Sequence, residues 1–483
     1  MHDPVMDSEP VPATRQIFAN RTLNLRSIRA IGYDMDYTLV HYRVAAWEAH
    51  AYQRLKAILG ESGWPVADLV FAPDSVIRGL VVDAELGNIV KANRFGYVVR
   101  AAHGTRILDY EEQRDTYRHL PIDLSSPRFI FLNTLFSLSE SCLYSQLVDL
   151  YDAGRLAAVH GYADLMRRIR DAMDRAHVEG ELKQHIAADP GAFVEPDPDA
   201  AAALVDQRRA GKRLMLITNS EWPYARAMMA HAFDPFLPAG TTWENLFELV
   251  IVRARKPAFF TSELPLFRVV DRERDLLQPV PRGIPGPGVY VGGDAATVEA
   301  YLGLSGADIL YVGDHVFADV RVSKAFLRWR TALILRELED EIAALECFRP
   351  RELELVRLMR DKEALERTLC RLRVALQRFD GGPAGQPSGP DAARLTREIA
   401  EVRQRAIDLD ERIAPIAREA SMVGNPLWGP LLRAGNDVSD LARQLEKSAD
   451  VYTSRVGNLL AATPFAYLRA QRGGMPHDAE SRY

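Results

Sequence analysis

SIRAIGYDMDYTLV, residues 27–40, is a short apolar segment that runs into two aspartates, Asp34 and Asp36. A run of this length and composition, bounded by polar residues, is typical of a buried β-strand. In α/β proteins the carboxyl ends of parallel strands form the edge of the sheet where ligands bind. We therefore expect Asp34 and Asp36 to lie at a ligand-binding edge.

Three other segments repeat this pattern of an apolar run followed by a polar cluster: RLMLITNS (213–220), LFELVIVRARKP (246–257) and ADILYVGDHVFADV (307–320). The sequence YVGG (290–293) gives a further strand-to-turn signal. Because helical stretches separate these runs, the sequence predicts an α/β fold with a parallel sheet whose polar strand ends converge.

The interval between the first two clusters is much longer than one crossover helix requires. It contains the strand-like RGLVVDAELGNIVKA (78–92) and helix-like stretches between residues 139 and 187. This composition predicts an inserted cap that has both strands and helices.

Residues 351–416 carry a heptad pattern that indicates two helices joined by the Gly/Pro-rich loop GGPAGQPSGP (381–390). An antiparallel helical hairpin is expected, with a role in packing or subunit contact. Lys362 interrupts the apolar positions, which are Leu355, Leu358, Leu365, Leu369, Leu372, Leu376 and Phe379, then Leu395, Ile399, Val402, Ala406, Leu409 and Ile413.

A chain of 483 residues is expected to hold two or three structural units. The predicted segments are a disordered N-terminus (1–15), the first core strand and its motif (16–40), a cap with core-flanking insertion (41–205), the main core (206–350), the helical hairpin (351–416) and a C-terminal segment that packs on the core (417–483).

Composition narrows the class of protein. The net charge of −6 argues against a nucleic-acid partner, since such proteins usually carry a basic excess. Three scattered cysteines favour buried thiols in a reducing compartment over a disulfide framework or a zinc site. Without a signal-peptide pattern or an apolar run long enough to cross a membrane, a cytoplasmic protein with no membrane partner is expected.

Asp34 and Asp36 have the residue types that covalent phosphoryl transfer needs: a carboxylate nucleophile, and an acid for the leaving oxygen. An Asp-x-Asp pair alone is weak, because solvated loop carboxylates are common. The apolar strand before it and Thr38 and Leu39 after it favour the catalytic interpretation.

Thr218, Asn219 and Ser220 follow the second strand, where a hydroxyl and backbone N–H groups at a helix N-terminus can hold phosphate oxygens. The alternative is an ordinary helix cap. Lys256 offers a cation for the phosphoryl oxygens and for orienting Asp34, although a surface lysine is the usual alternative.

Asp314 and Asp319 lie in VGDHVFAD. With Asp34, a carboxylate here supplies the hard oxygen ligands that Mg²⁺ prefers, so Asp314 is predicted to bind the metal directly. Asp319 is predicted to orient Lys256 or a metal-bound water. His315 is left out because a hard ion prefers oxygen; the alternative for the cluster is a pair of solvated loop carboxylates.

The order of these motifs, DMDYTL, TNS, a lysine and GDHxxxD, resembles the haloacid dehalogenase superfamily across the whole core. The resemblance implies a Rossmann-like parallel sheet with an inserted α/β cap and a C-terminal helical hairpin. It also implies that Asp36 contributes its backbone carbonyl to the metal.

Within that superfamily the chain is similar to the cytosolic purine 5′-nucleotidases of the high-molecular-weight type. The similarity rests on NRTLNLRSIRAIGYDMDYTL, RGLVVDAELGNIVKANRFGYVVRAAHG, ILYVGDHVFADV and PFAYLRAQRGGMPHD. It implies Mg-dependent hydrolysis of IMP- and GMP-like nucleotides, nucleoside phosphotransfer as a second reaction, and a homo-oligomer, either a dimer or a tetramer.

The resemblance also implies base and phosphate contacts from the cap residues Arg170, Asp174, His177 and Lys183, with Phe136 against the purine. The first three have the spacing of one helix face. A charged, solvated helix and a core phenylalanine are the structural alternatives.

Several positions depart from the family pattern. Val178 replaces a tyrosine, Ser137 an asparagine, and Ala325 a lysine near an effector site, while Phe317 keeps an aromatic ring at that site. These departures bear on base preference and effector regulation. The functional alternatives are a phosphatase for another phosphate ester and a weakly active scaffold with the same fold.

Overall fold

A computed structural model of the chain describes residues 11–178, 180–380 and 390–471. Its centre is a ten-stranded sheet. The strands in chain order are β1 Phe18–Ala19, β2 Ala30–Tyr33, β3 Arg213–Ile217, β4 Leu249–Val252, β5 Leu266–Asp271, β6 Leu276–Pro279, β7 Gly288–Gly292, β8 Ile309–Gly313, β9 Arg330–Ile334 and β10 Val451–Thr453.

The order across the sheet is β1-β10-β9-β8-β2-β3-β4-β7-β5-β6. The strands from β10 to β7 pair in parallel, and antiparallel β1, β5 and β6 complete the two edges. Strand β2 lies between β8 and β3, so Tyr33 pairs with both Val312 and Leu216. The four predicted polar clusters therefore follow neighbouring strands at one edge, and the predicted α/β class with a parallel sheet is confirmed.

Helices cover this sheet, and a buried apolar cluster that includes Met215, Ile251, Tyr290 and Tyr311 fills one side of it. The α-helices of this part of the chain, with those of the insertion, are Val44–Glu61, Tyr110–Tyr117, Ser137–Asp152, Tyr162–Val178, Glu181–Ala188, Pro190–Phe193, Pro198–Arg209, Trp222–Phe233, Ala258–Thr261, Ala295–Leu302, Val322–Leu327, Asp440–Ser448 and Asn458–Ala462.

The insertion after the first motif contains a five-stranded antiparallel sheet packed on its own apolar cluster, which includes Val81, Val90 and Phe129. Its spatial order is Arg106–Ile107, Val98–His103, Asn88–Ala92, Val81–Asp83 and Phe129–Phe131. Short two-stranded pairs join His41–Tyr42 to Val194–Glu195, Leu23–Asn24 to Tyr467–Leu468, and Arg433–Ala434 to Asp437–Val438.

Residues 340–430 form a second compact unit, separate from the unit made by residues 1–339 and 431–483. Its helices are Leu338–Asp380 and Pro390–Ala420. Leu358 packs with Ile413 and Ile416, and Lys362 binds Asp410, so the two helices run antiparallel. The two helices extend past the predicted bounds of 351–416, to Leu338 at the first end and Ala420 at the second, and Arg351 pairs with Glu419.

Both chain ends differ from the prediction in their described parts. Residues 1–10 of the segment predicted as disordered lie outside the described residues, but Ala13–Arg15 form a 3₁₀ turn, and Arg15 binds Asp199 at 2.6 Å. At the other end, β10 extends the central sheet beside β9 instead of only packing on it. Among the helices of the described chain, none is long and apolar enough to cross a membrane.

Candidate active site

Asp34 extends the central strand by one residue, because its N–H donates to the Val312 carbonyl at 2.9 Å. Its Oδ1 accepts from the N–H of Met35 at 2.7 Å and from Lys256 Nζ at 2.7 Å. Two donors on one oxygen fix the plane of the carboxylate. The side chain is thus held in one orientation at the carboxyl end of β2.

A tight turn follows, in which the Met35 carbonyl accepts from the N–H groups of Thr38, Leu39 and Val40. Tyr37 adopts a left-handed conformation within it, with φ of 54°. This turn, residues 35–40, reverses the chain immediately after the strand, so Asp36 is presented beside the strand ends; we call it the catalytic turn after the role predicted for Asp36.

Lys256 lies between two carboxylates. Its Nζ is 2.7 Å from both Asp34 Oδ1 and Asp319 Oδ1, and it also donates to the Tyr311 hydroxyl at 3.2 Å. Burial works to lower the pKa of Lys256, but Asp319 and Asp34 hold it well above its usual value. The lysine is therefore a fixed positive charge at the strand ends.

Asn219, predicted to bind substrate, holds the backbone of Lys256. Its Oδ1 accepts from the Lys256 N–H at 2.7 Å, and its Nδ2 donates to the Lys256 carbonyl at 3.1 Å. These contacts use the amide group to position the lysine; a direct contact of Asn219 with substrate stays a prediction.

Three carboxylates crowd the same position. Oxygen atoms of Asp34, Asp314 and Asp319 lie within 4.8 Å of one another. Burial raises the pKa of Asp34 to about 7, with Lys256 opposing and Asp319 adding to the rise. Burial and then the charges of Asp34 and Asp319 also raise the pKa of Asp314 well above its usual value. Such a cluster favours a cation.

The cluster fits a magnesium ion by its donor chemistry. Asp314 Oδ2 is buried and has no hydrogen-bond partner within the part of the chain that the structure describes, which is costly unless a ligand satisfies it. Both oxygens of Asp319 are engaged, by Lys256 and by the N–H of His315 at 3.2 Å. Asp34 and Asp314 are therefore the acids best suited to direct ligation.

Glycine is required just before this loop. A Cβ at Gly313 would lie 2.6 Å from the side chain of Asp319, which any larger residue would displace. His315 serves as a cap: its Nδ1 accepts from the N–H groups of Phe317 and Ala318 at the start of the π-helix Val316–Arg321.

Asp36 receives hydroxyl donors on both oxygens. Tyr42 donates to Oδ1 and Ser220 donates to Oδ2, each at 2.6 Å. Lys183, from the helix Glu181–Ala188, donates to the Ser220 hydroxyl at 3.0 Å. The predicted residues Asp36, Ser220 and Lys183 thus form one chain of hydrogen bonds that links the insertion to the catalytic turn.

Thr218 is fully buried at the end of β3, and its Oγ1 accepts from the Ser220 N–H at 3.0 Å. Ser220 lies just before the helix Trp222–Phe233. Because the Thr218 oxygen accepts in this bond, the Thr218 hydroxyl proton can still donate to a ligand. A hydroxyl and a helix N-terminus together suit a phosphate group.

Phe136 is half-buried in an aromatic cluster. Its ring centre is 4.7 Å from those of both Tyr37 and Trp47, in edge-to-face geometry. Because Tyr37 belongs to the catalytic turn, the ring of Phe136 packs beside that turn.

The remaining cap residues are less closely gathered. Arg170 binds Glu140 at 3.2 Å and lines a cavity of about 540 Å³ that also includes Phe129 and Phe317. Asp174 is exposed on the same helix, Tyr162–Val178. The side chain of His177 lies outside the described residues.

Sequence reasoning missed residues that act through others. Tyr42 holds Asp36, and Tyr311 holds Lys256. Arg78 donates to the backbone carbonyl of Asp314 at 3.1 Å. Tyr311 and Arg78 lie in segments quoted above, but no spacing marks them as functional, and only their proximity in the fold reveals these roles.

Glu48 is another missed residue, buried in the helix Val44–Glu61. It accepts from the Tyr37 hydroxyl at 3.3 Å and from the Ser139 N–H at 2.9 Å. It therefore ties the catalytic turn to the helix that follows Phe136. Burial raises the pKa of Glu48 to about 7, despite those two donors.

Glu48→Gln is expected to flatten the pH dependence of stability. The pKa of Glu48 in the folded protein lies above its usual 4.5. The protonated carboxyl therefore stabilises the fold fully below pH 4.5, and this stabilisation is lost as the pH rises through about 7. Between pH 5 and 8, the unfolding free energy of the wild type should fall by about 2–3 kcal/mol relative to the variant. Urea unfolding at both pH values measures this difference.

Glu61→Gln, an exposed position on the same helix, is the matched control and should track the wild type at both pH values. If the difference in unfolding free energy between the wild type and Glu48→Gln stays constant with pH, the assignment is contradicted.

An acidic strand-end residue bonded to a lysine, two further buried carboxylates, a parallel α/β sheet and an inserted cap define a haloacid dehalogenase-like fold. The chain belongs to the 5′ nucleotidase family, whose model matches residues 17–480. It is accordingly a hydrolase of the 5′-nucleotidase class.

Similar proteins carry the same family name. The chain is 25% identical over 489 residues to a 5′-nucleotidase domain-containing protein of Dictyostelium discoideum, covering 98% of this chain and 77% of that protein. It is 30% identical over 342 residues to human 5′-nucleotidase domain-containing protein 2, covering 68% of this chain and 64% of the relative. The rat protein of that name is also 30% identical over 342 residues, covering 68% of this chain and 60% of the relative. The chain thus spans less than two thirds of both mammalian relatives.

Proposed function

We propose that this protein hydrolyses purine nucleoside 5′-monophosphates of the IMP and GMP type to nucleoside and phosphate, with Mg²⁺ and through an aspartyl-phosphate on Asp34. One observation carries the proposal: Asp34 is oriented by Lys256 beside Asp314, whose buried Oδ2 has no hydrogen-bond partner among the described residues. Family membership supports the reaction class.

In the first half-reaction, a carboxylate oxygen of Asp34 attacks phosphorus as the bond from phosphorus to the 5′-oxygen breaks. Asp36 gives its proton to that oxygen, which leaves as the nucleoside hydroxyl. Lys256 stays protonated and balances charge on the phosphoryl oxygens. Thr218 donates its hydroxyl proton to the phosphate, whereas the Ser220 hydroxyl, which donates to Asp36 and accepts from Lys183, holds these two side chains beside it.

In the second half-reaction, Asp36 takes a proton from water as the water oxygen attacks the aspartyl-phosphate. Phosphate leaves and Asp34 is regenerated as a carboxylate. A nucleoside hydroxyl in place of water would give phosphotransfer, which is the second reaction proposed.

Asp34 and Asp314 would hold magnesium through carboxylate oxygens, and Asp36 through its backbone carbonyl. When bound, the ion supplies positive charge that offsets the phosphoryl oxygens. Asp319 positions Lys256 through the 2.7 Å contact between them.

Purine preference is proposed from Phe136 together with the cap residues Arg170, Asp174 and His177. A base gains about 1–3 kcal/mol by stacking on an aromatic ring, and purines offer the larger face. Phe136 is half-buried and belongs to the aromatic cluster at the catalytic turn, which supports this role.

A panel of substrates tests the proposal: IMP, GMP, AMP, UMP, CMP and a sugar phosphate, ranked by kcat/KM with Mg²⁺ and with a chelator. IMP and GMP should rank first, and chelation should reduce all rates to background. Phe136→Ala should lower kcat/KM for IMP by about tenfold, corresponding to the loss of one stacked base. Pyrimidines or the sugar phosphate ranking above the purines would overturn the substrate assignment.

A cytoplasmic location and a homo-oligomeric state, dimer or tetramer, are part of the same proposal. The free thiols suit a reducing compartment; Cys142 is buried as expected, whereas Cys347 and Cys370 are exposed on the hairpin, contrary to the expectation of buried thiols. The exposed apolar side chains Leu353, Val356 and Met359 on the hairpin offer surface for contact between copies.

A further inference from the structure

Arg78 is a fully buried arginine that the reaction above does not use; its side chain has 0% exposure. Its guanidinium makes a two-pronged contact with Glu337, at 2.8 Å and 2.5 Å. The remaining nitrogen, Nη1, donates to the backbone carbonyl of Asp314 at 3.1 Å. A buried arginine with this planar fork holds its partners in one geometry.

The backbone around Arg78 is fixed by close packing. Gly79 has φ of 88°, and a Cβ there would lie 2.8 Å from Leu441. Its N–H donates to the Leu132 carbonyl at 2.6 Å. Arg78 therefore enters from the start of the insertion, just before the strand Val81–Asp83, and reaches the loop after β8 from a rigid support.

The direction of the Asp314 side chain depends on its backbone. Its buried Oδ2 has no hydrogen-bond partner among the described residues, so side-chain bonds do not fix that oxygen. On the far side, His315 caps the π-helix and its N–H donates to Asp319. Arg78 on the carbonyl and this cap on the following residue hold the peptide from both sides.

The guanidinium of Arg78 also brings a positive charge to the Asp314 backbone, next to the cluster of buried carboxylates. Glu337 keeps the guanidinium in place through both of its oxygens.

We propose that Arg78 is a positioning residue for the metal site: it orients the Asp314 carboxylate toward the bound divalent cation by holding the Asp314 carbonyl. This inference rests on the proposed magnesium-dependent function. Partners that orient metal ligands typically change metal affinity about 10–100-fold when altered.

Arg78→Lys keeps the charge and removes the fork, so it tests positioning apart from electrostatics. The matched control is Arg213→Lys, because Arg213 makes the same fork on Glu248 and donates to the Leu302 carbonyl at 2.7 Å, away from the metal ligands. Magnesium binding to metal-stripped protein is measured by calorimetry, and Tm is measured with and without Mg²⁺.

Arg78→Lys should raise the Kd for Mg²⁺ by at least about tenfold and shrink the Mg²⁺-induced rise in Tm. Saturating Mg²⁺ should restore kcat with IMP. Arg213→Lys should lower Tm equally with and without Mg²⁺ and leave the Kd within twofold of the wild type. If Arg78→Lys also lowers Tm equally with and without Mg²⁺ and leaves the Kd unchanged, the role of Arg78 is only structural and the inference is overturned.

Glu337→Gln decides the question if Arg78→Lys does not fold, since it keeps Arg78 but weakens the group that orients it. The Kd for Mg²⁺ should rise several-fold, and an unchanged Kd would overturn the inference. Wild-type protein that binds no Mg²⁺ would contradict the proposed function itself, whereas normal wild-type binding with equal affinity in both variants would contradict only the role of Arg78.

Discussion

Asp34→Asn is expected to lower kcat for IMP hydrolysis by more than about 10⁴-fold, because general acid–base help without the nucleophile supplies at most about 10²–10⁴-fold. Asparagine has nearly the same shape and can still accept from Lys256 through its amide oxygen, which the wild-type carboxylate does at 2.7 Å. The protein should therefore stay folded. Phosphate release over a range of enzyme concentrations measures the loss.

Chemical trapping tests the covalent step directly. Borohydride reduces an acyl phosphate to an alcohol, so protein quenched during turnover should carry homoserine at position 34, detectable by peptide mass spectrometry. The Asp34→Asn variant should carry none, and Asp308→Asn, just before β8 and outside the strand-end motifs, serves as the unaffected control. Turnover by Asp34→Asn within tenfold of the wild type would remove the nucleophile from the mechanism.

The fold class could be predicted because its signals are local. Each central strand is a short apolar run, and its polar cluster follows directly, as in β2 with Asp34 and β8 with Asp314. Parallel strand ends share one edge of a sheet, so residues far apart in sequence could be expected to meet. The hairpin was equally accessible, since heptad spacing specifies two packed helices.

Other features depend on contacts that no local pattern encodes. β10 is three residues long, which is too short to give a clear strand signal in the C-terminal segment, and it joins the sheet by pairing with β9. The contact between the Asn219 amide and the Lys256 backbone is another example, because it forms only where the chain after β4 meets the end of β3.

The insertion was hardest to interpret, because its function depends on how helices pack. Lys183 reaches Ser220 across 37 positions in sequence, whereas Arg170, on a neighbouring helix, pairs with Glu140. Spacing alone places residues on one helix face but does not say what that face meets. The roles of Arg170, Asp174 and His177 in base recognition stay predictions.

Lys256→Met is expected to impair both turnover and stability. Loss of the buried charge should lower kcat by about 10²–10³-fold, as removal of one preorganised electrostatic group does. It also leaves Asp34 and Asp319 without their shared partner in a buried site, which typically costs about 3–5 kcal/mol of unfolding free energy. Urea unfolding of metal-stripped protein and initial rates with IMP measure the two effects.

Lys212→Met is the matched control. Lys212 is also buried, but among the described residues its Nζ donates to the backbone carbonyls of Leu25 and Ile28, at the amino end of β3. It should lose some stability and keep kcat within twofold of the wild type.

Addition of Asp319→Asn to Lys256→Met should recover part of the lost stability, because one uncompensated carboxylate is removed, while kcat stays low. If the double variant is instead less stable than Lys256→Met by the full cost of Asp319→Asn alone, the two side chains are not coupled. In that case the ion pair cannot be what holds Lys256 against Asp34.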